Sequence, residues 1–588
     1  MKIKLPHRIG PARLSILGVV VGVIAGFGAV FFRDLIGLIH NIAFLGKFSI
    51  EYDTSQFTPP SPWGAFIILV PVLGSFAVTF LVENFAPEAR GHGVPEIIDA
   101  IYYRKGVIRP VVGVVKSLAS AVSIGTGAAV GREGPIAQIG ASFGSLLGQI
   151  ISMQSWQRIT LVAAGAGSGI AATFNTPIGG VMFAVELMMP ELSARTFLPV
   201  ALATGTATFI GRLFFGVYPS FTVPRPVMFE GPATLSALCV YALLGVLMGV
   251  AAAVFIRGLY LAEQLYERIR NPYIRHGAGM FSFGLLIYVM LTGYGHYYLQ
   301  GVGYAAIQAI LDGGLDMPVL LSLLFVGKLW STWTALGSGG SGGIFSPSLY
   351  MGATAGAAFG ILVTAIFPVA GVGTATCAII GMAAMVAGGT GAPMTAITMI
   401  FEMTRDYDVV MPGIIAAALA IGVRRLLSRE SIYTIKLVSR GHFIPQALEA
   451  NMFLIRRASE IMERDVILLP ADADFDIALH QSESVAGWQA VVTNGNHITG
   501  VINVSGYHCS HKEGYSGLTL RDAAQSNFIV AQEDDVVIDI MARMQRRGAS
   551  VAVVIKGRGR PYASQISGII TKDRIVDSVA ESITKDAD

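Results

Sequence analysis

Three glycine-rich segments and one carboxylate are the parts of this 588-residue chain best suited to chemistry. The segments read Gly91-His92-Gly93-Val94-Pro95, Gly131-Arg132-Glu133-Gly134-Pro135, and a run from Gly337 to Gly343 followed by Ile344-Phe345-Ser346-Pro347. Each sets glycine ahead of proline at the start of an apolar stretch, which is how helix N-termini are written. A helix N-terminus exposes unpaired N–H groups and the positive end of the helix dipole. Several of them meeting inside a membrane would attract an anion weakly enough to release it quickly. A phosphate cradle is excluded, because no Gly-Lys-Ser/Thr follows the glycines and no segment opens a βαβ unit.

Glu133 lies among these glycines beside Arg132. A carboxylate inside a membrane is costly and by default functional. It forms either a fixed ion pair with Arg132 or a gate, filling an anion site when ionised and leaving it when protonated. Glu186 and Glu402 each sit near the end of an apolar run, before Met. They read as boundary carboxylates that bond backbone N–H groups. Cys239, Cys377 and Cys509 are far apart, and His508-Cys509-Ser510-His511 lacks a second pair at zinc spacing, so no metal site is expected. No nucleophile and base stand together, so the chain does not read as an enzyme.

These residues must be held by membrane helices. Hydrophobic residues make up 53% of the chain and charged residues 13%, against about 25% charged in soluble domains. The net charge of +3 argues against a nucleic-acid partner. Residues 446–588 hold 19 acidic and 14 basic residues, while the preceding 445 hold 19 and 27. The chain therefore divides into a membrane body, 1–445, and an ordinarily charged tail, 446–588. The first apolar run, Leu14 to Phe32, follows Lys2, Lys4, Arg8 and Arg13. It is long enough to span and lacks a small-residue cleavage site, so it reads as a retained helix with its start in the cytoplasm.

Many later runs carry Gly or Pro in mid-run, as broken helices do. The body also repeats. Lys116, Gly131, Pro135, Gly140 and Gly144 recur 212 residues later as Lys328, Gly343, Pro347, Gly352 and Gly356; Pro177 and Glu186 recur 216 later as Pro393 and Glu402. Two halves, about 14–217 and 233–427, are the pattern of an all-α transporter body with its substrate site at the repeat interface.

In their order and spacing the segments closely resemble the CLC family of chloride channels and chloride/proton antiporters, whose signatures are GxGxP, GREGP and GGIFxP. Phe174-Asn175-Thr176-Pro177, Phe401-Glu402-Met403-Thr404 and Tyr433 extend the match. The tail resembles a tandem pair of CBS domains, about 456–506 and 518–582. Its units open at Ala458-Ser459-Glu460-Ile461-Met462 and Leu520-Arg521-Asp522-Ala523-Ala524 and end in Gly500-Val501-Ile502 and Gly568-Ile569-Ile570. The resemblance implies an inverted-repeat helical body with broken helices, a homodimer with one pore per subunit, and a cytoplasmic α+β tail. The setting is a plasma (inner) membrane with both termini cytoplasmic. Chloride or another small anion is the ligand, and no cofactor is required.

The same resemblance assigns roles. Glu133 matches the gating glutamate, and Tyr433 the tyrosine whose hydroxyl donates to the central anion. Ile344 and Phe345 match its backbone donors; Arg132, Gly93 and Gly134 belong to the anion-binding set; Lys116 matches a lysine that raises the potential along the path. Thr571 and Asp573 match a pair that contacts an adenine nucleotide in CBS domains, while the first module, ending at Gly506, lacks the aspartate. Two departures stand out. His92 replaces the usual serine, and its imidazole is a donor whose charge near pH 6 would tie anion binding to pH. Leu187 stands where antiporters commonly carry a second, proton-accepting glutamate. Leucine carries no proton, so the expectation is a channel gated by protonation of Glu133, with the chloride/proton antiporter as the alternative.

Overall fold

The computed structural model describes residues 9–190, 192–223, 235–367, 372–442, 455–474, 489–503, 519–557 and 562–585. The chain divides into two compact units, Met1–Ile444 and Pro445–Asp588. Among the described residues of the first, eight helices are long and apolar enough to cross a membrane. They include α1 (Pro11–His40), α2 (Val70–Phe85), α8 (Ala194–Phe215), α9 (Leu235–Glu267), α10 (Pro272–Tyr294), α12 (Pro318–Gly337), α13 (Phe345–Ile366) and α16 (Val410–Leu427). Further helices complete this unit: α3 (Val94–Tyr103), α4 (Pro110–Gly125), α5 (Glu133–Ile150), α6 (Ser155–Phe174), α7 (Pro177–Phe183), α11 (Tyr304–Leu311), α14 (Thr374–Thr390), α15 (Pro393–Thr404) and α17 (Thr434–Ser439). Proline opens α4, α7, α10, α12 and α15, and near the start of α2 and α3 it likewise costs no hydrogen bond.

The repeat is built into the backbone. Glycines at Gly140 and Gly165 let α5 and α6 touch, since a methyl on either would meet the other's carbonyl oxygen. Gly352 and Gly381 do the same for α13 and α14. Close contact through small residues is how helices associate without a hydrophobic drive between them.

Reciprocal hydrogen bonds then relate the halves. Glu402 at the end of α15 accepts from Ile178 and Gly179 N–H at the start of α7, at 3.1 and 2.7 Å. Glu186, in the turn that ends α7, accepts from Met394 and Thr395 N–H at the start of α15, at 3.1 and 2.8 Å. Each segment's carboxylate caps the other's N-terminus, so the two run antiparallel and exchange under a two-fold rotation. Between α5 and α13, Gly131 and Gly343 exchange both N–H···O bonds, at 2.7 and 2.6 Å, as an antiparallel bridge. A two-fold that swaps antiparallel segments turns one half upside down relative to the other. The repeats are inverted.

Because a charged acceptor serves two otherwise unpaired donors, Glu402→Ala should destabilise the body by about 2 kcal/mol. Glu186→Ala, its two-fold mate, should cost a similar amount. Thermal unfolding in detergent measures both, and an unchanged midpoint in either variant would count against a capping role.

The C-terminal unit is α+β. β1 (Ile467–Pro470) pairs parallel with β2 (Gln489–Asn494), which pairs antiparallel with β3 (His497–Asn503). β4 (Ile529–Gln532), β5 (Val551–Ile555) and β6 (Ile566–Thr571) repeat that order and sense. Each module borrows the other's leading segment. Glu463 and Ile569 exchange both backbone bonds, as do Gln525 and Val501. Val491 and Val501 pack with Val551, Val553 and Ile569 in one core. The His508–His511 group and the end of the first module at Gly506 lie outside the described residues.

Candidate functional site

Four helices begin around one buried point. Gly93 precedes α3 with φ of 83°, and Arg132, Ile344 and Tyr433 are the residues before α5, α13 and α17. The loops bearing these starts are bonded to one another. Gly91 N–H donates to Gly340 O at 2.9 Å, Gly342 N–H donates to Gly91 O at 3.2 Å, and Gly131 pairs with Gly343. Gly134 lies so close to the His92 carbonyl that a methyl there would strike it. Far from the point, α3 and α17 are tied by Arg440 to Glu96 at 2.8 Å and by His442 Nδ1 to Asp99 Oδ1 at 2.6 Å.

Glu133 sits at the centre, 2% exposed. Its Oε1 is bonded by the Ser346 hydroxyl and lies 3.3 Å from the Tyr304 hydroxyl, while Tyr304 Oη and Ser346 Oγ are 2.9 Å apart. Its Oε2 has no hydrogen-bond partner and rests over the Gly131–Gly343 bridge, 3.0 Å from where a Gly343 Cβ would stand. The carboxylate therefore lies against the Gly131–Gly343 bridge, where the two halves meet. It is not paired with Arg132. That guanidinium faces the rings of Phe174 and Tyr304, at 5.7 and 5.4 Å from their centroids, and its Nε is buried without a partner. Of the two readings of Glu133, the fixed ion pair with Arg132 is not formed: aromatic faces hold the arginine.

His92 is buried, its ring 5.8 Å from that of Tyr433 and its Nδ1 without a partner. Ile344 and Phe345 open α13, with Phe345 5.9 Å from Phe174. Lys116 is fully buried; its Nζ donates to Ala89 O at 3.0 Å and Gly91 O at 2.7 Å. Its repeat mate Lys328 donates to Leu299 O and Gly301 O at the same two distances. The lysine brings charge near the site and also folds the first glycine loop around itself. Leu187 is half-buried in the turn that contains Glu186, and Glu186 is engaged by α15. In the other unit Thr571 Oγ1 accepts from Arg574 N–H at 2.9 Å, capping helix Lys572–Lys585, with Asp573 exposed in its first turn.

Tyr304 and Ser346 were not among the residues singled out by sequence reasoning. A signal for Tyr304 exists: Gly301-Val302-Gly303 stands 210 residues after Gly91-His92-Gly93, so Tyr304 opens α11 as Val94 opens α3. Ser346 stands 212 after Gly134 in the same way.

Inverted repeats whose helix N-termini converge on a buried carboxylate are the architecture of a membrane transport protein. Residues 74–425 match the family model described as voltage gated chloride channel. The H(+)/Cl(-) exchange transporter ClcA of Vibrio cholerae is 33% identical over 435 residues, covering 72% of this chain and 89% of that one. The solved structure of a slow cyanobacterial Cl-/H+ antiporter matches 73% of this chain and 98% of its own, with a TM-score of 0.63 and 26% identity. A eukaryotic CLC transporter matches 96% of this chain and 98% of its own in fold, with a TM-score of 0.61 and 21% identity. The chain belongs to the CLC family.

Proposed function

We propose that this integral membrane protein exchanges chloride for protons, with Glu133 as the group that alternates between occupying the anion path and carrying a proton. The observation that carries this reading is the seat of the Glu133 carboxylate. It rests over the Gly131–Gly343 bridge, among the helix N-termini, with one oxygen held by a hydroxyl and the other unpartnered. An ionised carboxylate there and a bound anion compete for the same positive environment, so protonation is what frees the site. The relatives named as exchange transporters, at 33% identity, and the antiporter structure support coupled exchange over the channel that Leu187 suggested. Leu187 remains the observation favouring the second reading, passive conduction.

In the proposed site His92, Gly93, Arg132, Gly134, Ile344, Phe345 and Tyr433 surround the anion, and Lys116 raises the potential near it. The chain acts as a homodimer in the inner membrane with cytoplasmic termini. The tail is a tandem CBS pair with an adenine-nucleotide contact at Thr571 and Asp573.

Purified protein in liposomes separates the two readings. Under opposed chloride and pH gradients, exchange predicts a reversal potential that moves when the pH gradient alone is changed. A reversal fixed at the chloride potential would reject coupling.

A further inference from the structure

The two halves share a backbone pattern but differ in side chains, and around Glu133 the difference has a chemical pattern. Glu133 has Phe345 as its mate, Gly134 has Ser346, and Val94 has Tyr304. One half contributes an acid and no hydroxyl; the other contributes two hydroxyls and no acid. Backbone features on both sides of this point remain paired, including the twin lysines and the Gly131–Gly343 bridge. The side chains that meet the carboxylate thus diverge over a backbone that stays paired.

We propose that Ser346 and Tyr304 form a hydroxyl latch that holds ionised Glu133 in the anion path and sets the pH at which it lets go. The inference rests on the reading of Glu133 as the gate and adds what tunes it. Ser346 Oγ donates to Glu133 Oε1, and the single Tyr304 O–H, 3.3 Å from Glu133 Oε1 and 2.9 Å from Ser346 Oγ, serves the carboxylate or the serine. A chain in which each hydroxyl polarises the next strengthens the last bond of the series. Donors to a carboxylate favour its charged form. A protonated Glu133 offers the hydroxyls only a neutral oxygen, and a bond to a neutral acceptor is weaker than one to a charged one. The latch thus stabilises the closed, ionised state and resists the open one. Other charged and titratable groups act electrostatically at this point: Lys328 of α12, Tyr433 at the start of α17 and Tyr304 on the carboxylate, and Arg132 at the start of α5 on Tyr304. All but Tyr304 stay unchanged when the latch alone is altered, so a shift in the variants reports the hydroxyls. These are positioning residues, since they act through Glu133.

The test is chloride flux from proteoliposomes as a function of pH for the full chain and its variants. In Ser346→Ala the curve should move to higher pH by about one unit, because a hydrogen bond to a charge is worth roughly a tenfold change in protonation. Tyr304→Phe should move it the same way by less, because its hydroxyl lies 3.3 Å from the carboxylate, beyond the closer Ser346 hydroxyl. Ser346→Thr keeps the hydroxyl and should restore the original curve. Glu133→Gln with Ser346→Ala should behave like Glu133→Gln alone, since the latch has nothing left to hold. An unmoved curve in Ser346→Ala, with the Glu133→Gln curve still flattened, overturns the latch and spares the gate. A pH-dependent Glu133→Gln overturns the gate itself.

Discussion

Glu133→Gln should leave a protein that still moves chloride but no longer couples it to protons and no longer responds to pH. Glutamine fills nearly the same volume and can still accept from Ser346, so the helix starts around it should persist. It carries no ionisable proton. The alternation between an ionised group in the path and a neutral one outside it is then gone, and flux should become flat across the range where the native protein changes. The reversal potential should collapse to that of chloride alone. The effect is large because Glu133 is the only acid in the bonded cluster of Glu133, Ser346 and Tyr304: Glu186 and Glu402 are committed to backbone N–H groups, and position 187 is leucine. Flux and coupling measured on one liposome preparation settle it. A Glu133→Gln protein that still drives protons against a gradient would end the proposed mechanism.

Gly131→Ala should be nearly as severe, for a steric reason. The added methyl would occupy the space of Glu133 Oε2 and come within 3.2 Å of Ser346 N. That space holds the carboxylate, and in the proposed mechanism an anion takes it when Glu133 leaves. Overpacking of this kind costs about 1–3 kcal/mol, and 1.4 kcal/mol is a factor of ten. Chloride flux should fall about tenfold or more. Adding Glu133→Gln should not restore it, because the methyl and not the acid is then the obstruction. Native flux with a native pH profile in Gly131→Ala would show that the anion passes elsewhere. Gly131 lies outside the left-handed φ region, so the change tests the side-chain space and not the backbone.

Much of this arrangement was legible before any tertiary contact was known. Glycine followed by proline at the head of an apolar run marked the starts of α3, α5 and α13, because the rules for opening a helix are local. The 212-residue offset paired the halves, because matching backbones need glycine at matching crossings. For Glu186 and Glu402 the backbone-capping reading holds, although their exchange between α7 and α15 shows only in the fold. Of the two readings open for Glu133, the ion pair with Arg132 is the one the fold does not form. Adjacency in sequence suggested an ion pair, but successive residues at a helix start point in different directions, and Arg132 turned to two aromatic rings.

By itself the sequence determined that this is a membrane body with a charged α+β tail, that its helices start in glycine-rich clusters, and that one acid stands among them. Those properties depend on composition and on neighbours a few residues apart. Only the tertiary structure decided what meets that acid. Tyr304 lies 171 residues from Glu133 and Ser346 lies 213 away. A hydroxyl–carboxylate contact has no period and no motif; it exists because two inverted halves bring their helix starts to a shared axis. The axis also explains why the acid and its hydroxyls come from opposite halves. Two copies of an acid on one two-fold would repel each other, whereas an acid facing donors can be held and released.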